Sequence, residues 1–237
     1  MRAMVLAAGY GKRMRPLTEN LPKALIPIRG MPLLAIVLKR LDRFGFTDIA
    51  VNAHYRGQQI GEFLHSFSKS FRCNLYTSYE PVCLDTGGGI KQMLEVLPGN
   101  GQVLVHNVDI LSNLNLRHLM NRHQEEQNTA TLVVNSRKTD RPLLFDENNL
   151  LIGRGNSLTT QNGLNTYGFC GIQVIQPELF ETVETDIFYS IDIYLSAARQ
   201  GQKISASLID GTYWRDIGTP QDLQEAIRDL DSGRFQI

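Results

Sequence analysis

Near the start of the chain an apolar run breaks abruptly into a basic, glycine-punctuated turn: Met4-Val5-Leu6-Ala7-Ala8-Gly9-Tyr10-Gly11-Lys12-Arg13-Met14-Arg15-Pro16-Leu17-Thr18, with Pro22-Lys23 close behind. A short strand has to end where the glycines begin, so the turn opens at that strand's carboxyl end. Ala8, Gly9 and Gly11 leave little side-chain bulk, and backbone N–H groups there can approach an anion closely. Arg13 and Lys23 add full positive charge where backbone dipoles supply only partial charge. The stretch reads as a phosphate cradle, against the plainer reading of a tight turn with solvated bases. Two other phosphate motifs fail. The dinucleotide pattern G-x-G-x-x-G has Met14 in its third position, and Arg15-Pro16 interrupts the helix it needs. A Walker-type loop requires Gly-Lys-Ser/Thr, which does not close this turn.

Behind the turn, strand and helix patterns alternate. Met1 to Ala7, Asp48 to Asn52, Cys73 to Thr77 and Gln102 to His106 read as strands. Pro32 to Phe44 carries Leu33, Leu34, Ile36, Val37, Leu38 and Leu41 at helical spacing. Further helices are predicted over Gly57 to Phe67, Thr86 to Leu97 (opened by a glycine run) and Leu116 to Gln124. Such alternation predicts an α/β fold in three layers, with sites at the carboxyl ends of strands. After about residue 129 the strands shorten between turns, with helices near Ile191 to Arg199 and Pro220 to Leu230. The expected organisation is one domain over residues 1–237. Its first half, about 1–128, holds the cradle, and about 129–237 forms a continuous substrate-binding lobe.

Charge and cysteine content narrow the partners. The 237 residues hold 24 Lys plus Arg against 24 Asp plus Glu, so no global field draws the protein to nucleic acid or an anionic membrane. A strand feeding a glycine turn offers neither a signal peptide nor a membrane span, and a cytoplasmic location is expected. Cys73, Cys83 and Cys170 have no metal-type spacing and read as incidental thiols in a reducing compartment.

Two acids stand out. Val103-Leu104-Val105-His106-Asn107-Val108-Asp109 is an apolar strand ending in a carboxylate, which places Asp109 at the sheet edge beside the cradle. Mg²⁺ takes one or two such carboxylates plus substrate phosphates and water, although an Asp capping a turn satisfies the same pattern. Asp216 lies in Tyr213-Trp214-Arg215-Asp216-Ile217-Gly218-Thr219-Pro220, where the aromatics suit a strand and Thr219-Pro220 a helix start. A third stretch, Glu80-Pro81-Val82-Cys83-Leu84-Asp85-Thr86-Gly87-Gly88-Gly89, bares backbone groups that can read a planar base at close range; a flexible glycine-rich helix start is the alternative.

The string from Leu6 to Thr18, continued by Pro22-Lys23-Ala24-Leu25-Ile26-Pro27-Ile28, closely resembles the signature of sugar-1-phosphate nucleotidyltransferases. Trp214-x-Asp216-Ile217-Gly218-Thr219-Pro220 resembles that family's other recurring motif, so the resemblance runs from first strand to last helix. It implies a Rossmann-like nucleotidyltransferase fold with a mixed central sheet and an inserted sugar-binding lobe. It implies an enzyme that joins a nucleoside triphosphate to a sugar 1-phosphate and releases pyrophosphate, with Mg²⁺ held by Asp109 and Asp216. Leu6, Ala7, Ala8, Gly9, Gly11, Arg13, Lys23, Glu80, Thr86, Gly87 and Gly88 fall at nucleotide-contacting positions, with Arg13 and Lys23 also catalytic. Asn165-Thr166-Tyr167-Gly168-Phe169-Cys170-Gly171-Ile172 resembles the family's strand motif in which small residues let the sugar lie against the backbone. Gly168 and Gly171 fit that use, and Asn165 and Asp192 can hydrogen-bond sugar hydroxyls. Val108 departs from the pattern, which usually has glycine before the metal-binding Asp. Short bacterial members that make UDP-N-acetylmuramic acid for cell-wall recycling look most similar, which implies UTP as donor. A guanylyltransferase acting on mannose or heptose 1-phosphate and a noncatalytic sugar-nucleotide-binding protein are the alternatives. A monomer or small homo-oligomer is expected.

Overall fold

A computed structural model describes residues 1–155 and 163–236. The first strand, β1 (Arg2–Leu6), leads through the basic turn to a small hairpin, β2 and β3 (Pro27–Ile28 and Met31–Pro32). Next come α1 (Leu33–Arg43), β4 (Asp48–Ala53), α2 (Gly57–Phe67), β5 (Asn74–Tyr79) and α3 (Asp85–Val96). Then follow β6 (Val103–Asn107), β7 (Ile110–Ser112) and α4 (Leu116–Glu125). The helices predicted from periodicity lie within a residue or two of these bounds, because each carries an apolar stripe that only a helix can bury on one side.

The second half adds β8 (Ala130–Asn135), β9 (Leu143–Phe145), β10 (Leu151–Arg154), β11 (Asn165–Ile175), α5 (Glu178–Glu181) and α6 (Ser190–Arg199). It closes with β12 (Ile204–Leu208), β13 (Trp214–Asp216) and α7 (Pro220–Asp231). Thr219 caps α7 by the expected chemistry: its hydroxyl accepts from the Asp222 amide, and Asp222 accepts from the Thr219 amide at 2.8 Å.

Among the described residues, nine strands form one mixed sheet in the order β10-β9-β11-β6-β1-β4-β5, with β8 on β11 and β12 on β8. β5, β4, β1 and β6 run parallel, and β11 returns antiparallel beside β6. The apolar run of β6 is buried on both faces, as a central parallel strand requires. Leu34, Val37, Leu38 and Leu41 of α1 pack one face with Ala3 and Val5. Ile90 and Met93 of α3 pack the other with Met4 and Ala50. These are the three layers the alternation predicts. From β1 the chain moves to β4 and β5, then crosses back to β6 on β1's other side. The crevice at such a reversal opens beyond the carboxyl ends of β1 and β6.

Two buried imidazoles give the fold a pH dependence. Burial pushes both His106 and His123 down from 6.5 to about 4, and His123 bonds Thr131 Oγ1 at 2.9 Å. Each group takes up its proton in the unfolded chain before the folded one. Stability is therefore fully present above pH 6.5 and is lost as pH falls toward 4. Melting temperature measured across that window should fall steeply, and His123→Gln should flatten the fall.

Candidate active site

β1 and β6 end side by side, Leu6 opposite Asn107, and the Val108 amide donates to Leu6 O at 3.1 Å. A cleft of about 220 Å³ opens there, lined by Leu6, Ala7, Ala8, Gly9, Lys23, Glu80, Thr86 and Asp109 of the expected set. Gly9, Lys23 and Asp109 also border an adjoining recess that contains Gly11, Arg13 and Gly218. The cradle is thus assembled from residues far apart in the chain.

Its shape follows from three residues. Gly11 has φ +62, and a Cβ there would lie 2.9 Å from Thr18 Cγ2, so the position needs glycine. Thr18 Oγ1 donates to Gly11 O at 2.9 Å and pins the turn. Met14 is fully buried beside Ile26, Ile28 and Ile217. The turn consequently runs into a single 3₁₀ turn, Lys12–Met14, and not into the long helix of a dinucleotide site.

The two acids converge. β13 pairs antiparallel with β7, Asp216 opposite Ile110, and the Ile217 amide donates to Asp109 O at 2.9 Å. Lys23 Nζ meets Asp109 Oδ2 at 2.5 Å. Burial, and then the Asp109 charge, push the Asp216 carboxyl above its usual range, while Lys23 and Arg13 pull it back. Asp216 Oδ1 is buried with no hydrogen-bond partner among the described residues. Arg13 lies flat on Gly218, its terminal nitrogens 3.1 Å from where a Cβ would stand. Val108, the departure from the family glycine, does not have a positive φ and packs into the core. A β-branched residue is therefore accommodated without backbone strain.

The base loop differs from its sequence reading. Gly87 and Gly88 lie inside α3, and both amides donate to Phe188 O, at 2.8 and 3.4 Å. A Cβ on Gly88 would stand 1.9 Å from Asp186 O, and one on Gly87 2.3 Å from the Phe188 ring. These glycines admit the 186–188 segment; their amides are spent before any base arrives. Thr86, on the cleft wall, accepts from the Ser190 amide at 3.0 Å and ties α3 to α6. Glu80 is buried, bonding Asn52 Nδ2 at 2.6 Å and the Leu84 amide at 3.0 Å. Asn52 Oδ1 accepts from the Ala7 amide at 2.6 Å, so a buried relay links cradle to base loop. Sequence reasoning passed over Asn52 because its polarity mid-strand was the sole signal.

The sugar residues separate. Gly171, midway along β11, has φ +72 and lies against Asn107 and Ile110, beside the cleft end of β6. Gly168 is covered by Arg137. Asn165 Nδ2 donates to Asp146 O at 3.2 Å, which holds it on the β9 hairpin. Asp192 is exposed in the first turn of α6 and lines neither recess. Tyr10 stands 43% exposed, its hydroxyl 3.1 Å from His54 Nε2.

Two carboxylates, two cations and a bare backbone turn at a sheet's carboxyl edge make a site for phosphate chemistry. The nucleotidyl transferase family model matches residues 2–144, and the chain belongs to that family. Over 229 residues it is 33% identical to the N-acetylmuramate alpha-1-phosphate uridylyltransferase of Neisseria meningitidis serogroup B, covering 95% of this chain and 96% of that one. A Synechocystis UTP–glucose-1-phosphate uridylyltransferase is 26% identical over 96% of this chain, which spans 63% of that enzyme's length. In fold, a putative glucose-1-phosphate thymidylyltransferase from Bacillus anthracis superposes with a TM-score of 0.82 at 18% identity, covering 96% of this chain and 94% of that one. The protein is a sugar-1-phosphate nucleotidyltransferase. No helix among the described residues is long and apolar enough to cross a membrane.

Proposed function

We propose that the protein condenses UTP with N-acetylmuramate 1-phosphate to give UDP-N-acetylmuramic acid and pyrophosphate, a cytoplasmic step of cell-wall recycling. One observation carries the reading: Asp109 and Asp216 are locked together between Lys23 and Arg13 at the end of the phosphate turn. The Neisseria relative, similar over almost its whole length, supports the choice of base and sugar. Residues 1–128 hold the triphosphate in this reading, and residues 129–237 hold the sugar and supply Asp216.

Mg²⁺ suits the pair. The buried Oδ1 of Asp216 has no hydrogen-bond partner among the described residues, and two protein carboxylates with substrate phosphates form the coordination that Mg²⁺ accepts. Among the described residues no group of three or more His, Cys, Asp or Glu offers a denser site. When bound, the ion supplies charge neutralisation between two polyanions and aligns their oxygens.

The reaction follows from charge. A sugar-phosphate oxygen forms a bond to the α-phosphorus as the bond to the pyrophosphate oxygen breaks. A phosphomonoester with a second pKa near 6 is largely dianionic at neutral pH, so no general base is required. Repulsion between the anions is the obstacle. Arg13 meets the charge growing on the leaving group, and Lys23 holds Asp109 in place at the reacting phosphates. Initial rates of pyrophosphate release with UTP, dTTP, CTP, ATP and GTP at matched Mg²⁺ test the base: UTP should be preferred. A preference for GTP would reject it in favour of a guanylyltransferase, the activity named for a Mycobacterium tuberculosis relative at 26% identity over 98% of this chain.

A further inference from the structure

Arg137 follows β8, and its guanidinium stacks 4.4 Å from the centre of the Trp214 ring. Its Nη1 donates to Asn135 Oδ1 at 2.7 Å and Gly168 O at 3.3 Å, and its Nη2 to Phe169 O at 2.5 Å. β11 slips register against β8 between Phe169 and Gln173, immediately past those carbonyls. A guanidinium carries five N–H donors, so its Nε–H and second Nη2–H remain on one edge. Among the described residues that edge meets no acceptor, and no carboxylate pairs with Arg137. The neighbouring Asp210 is taken by the Ser136 amide and hydroxyl. A half-buried cation with a free planar fork is shaped for a carboxylate.

Its position says which carboxylate. Alternation along β13 puts Trp214 and Asp216 on one face, roughly 7 Å apart, with Arg215 on the other. Gly218, under Arg13, comes two residues further on. Arg13 and Arg137 therefore flank Asp216 from opposite ends of one extended segment. Arg13 stands at the phosphate turn, and Arg137 stands over Gly168 on β11, at the far end of that segment. In N-acetylmuramate the acid is a lactyl ether on carbon 3, two ring carbons from the carbon 1 that bears the phosphate.

We propose that the free edge of Arg137 binds the carboxylate of an acidic sugar 1-phosphate and so selects it over sugars without one. The inference rests on the sugar proposed above. Its test compares kcat/KM, with UTP, for N-acetylmuramate 1-phosphate and for N-acetylglucosamine 1-phosphate, which lacks the lactyl group. Arg137→Gln should cut the acidic sugar's preference by on the order of thirtyfold to a hundredfold, mainly through KM, and Arg137→Lys should restore part of it. Gly168→Ala keeps the arginine but puts a Cβ 2.9 Å from its guanidinium carbon, which must shift, and should erode the same ratio. An equal loss on both sugars would make Arg137 a strand clamp and overturn the assignment, as would a preference that survives Arg137→Gln. A wild-type protein that turns over the neutral sugar better would reject the proposed sugar itself, and this assignment with it.

Discussion

Asp216→Asn is expected to melt higher than the wild-type protein while losing about a hundredfold to a thousandfold in turnover. The carboxylate is held in a buried site beside Asp109, where its charge is disfavoured and its Oδ1 has no partner among the described residues. Removing the charge should add about 1 kcal/mol, which for a chain of this size is roughly 2–4 °C. The same substitution deprives the proposed Mg²⁺ site of half its carboxylates: Mg²⁺ is expected to raise the wild-type melting temperature, and that rise should shrink sharply in the variant. Differential scanning calorimetry with and without Mg²⁺, beside a pyrophosphate assay, reads all three effects. A folded variant that keeps near wild-type rate would remove Asp216 from the machinery.

Lys23→Ala should have the opposite sign on stability. Its ammonium is paired with Asp109 at 2.5 Å and also relieves Asp216. Without it two carboxylates face each other across a β13–β7 ladder that cannot move apart. The loss should be about 2 kcal/mol, or roughly 4–8 °C, with turnover down about a hundredfold. Adding Asp216→Asn to Lys23→Ala should recover most of the stability and none of the activity. If the double variant melted no higher than Lys23→Ala alone, the electrostatic account of this pair would be wrong.

Local signals made part of this site legible. Gly11, Arg13 and Lys23 fall within one short stretch whose glycine is required by a left-handed φ, and that constraint is written in the residue itself. Asp109 and Asp216 were each readable as strand-end acids, and the family motif implied their meeting. The ladder that joins them could not be read from either segment. The glycines of α3 misled because small residues serve close packing as well as ligand approach, and only the 186–188 segment decides between them. Glu80, read as bordering the nucleotide pocket, does line the cleft, with its two oxygens engaged by Asn52 and the Leu84 amide. Asn165 and Asp192 were read as partners of sugar hydroxyls, but Asn165 bonds the β9 hairpin and Asp192 stands exposed on α6. Arg137 carried no sequence signal, since its stacking partner Trp214 lies far along the chain.

The central claim is that the paired aspartates and the phosphate turn join a uridylyl group to N-acetylmuramate 1-phosphate. Incubating the protein with UTP, N-acetylmuramate 1-phosphate and Mg²⁺, then quantifying products by mass spectrometry, tests it directly. The account predicts UDP-N-acetylmuramic acid and pyrophosphate in equal amounts, with neither formed by Asp109→Asn. Hydrolysis of UTP without a sugar nucleotide, or undiminished product from Asp109→Asn, would contradict it.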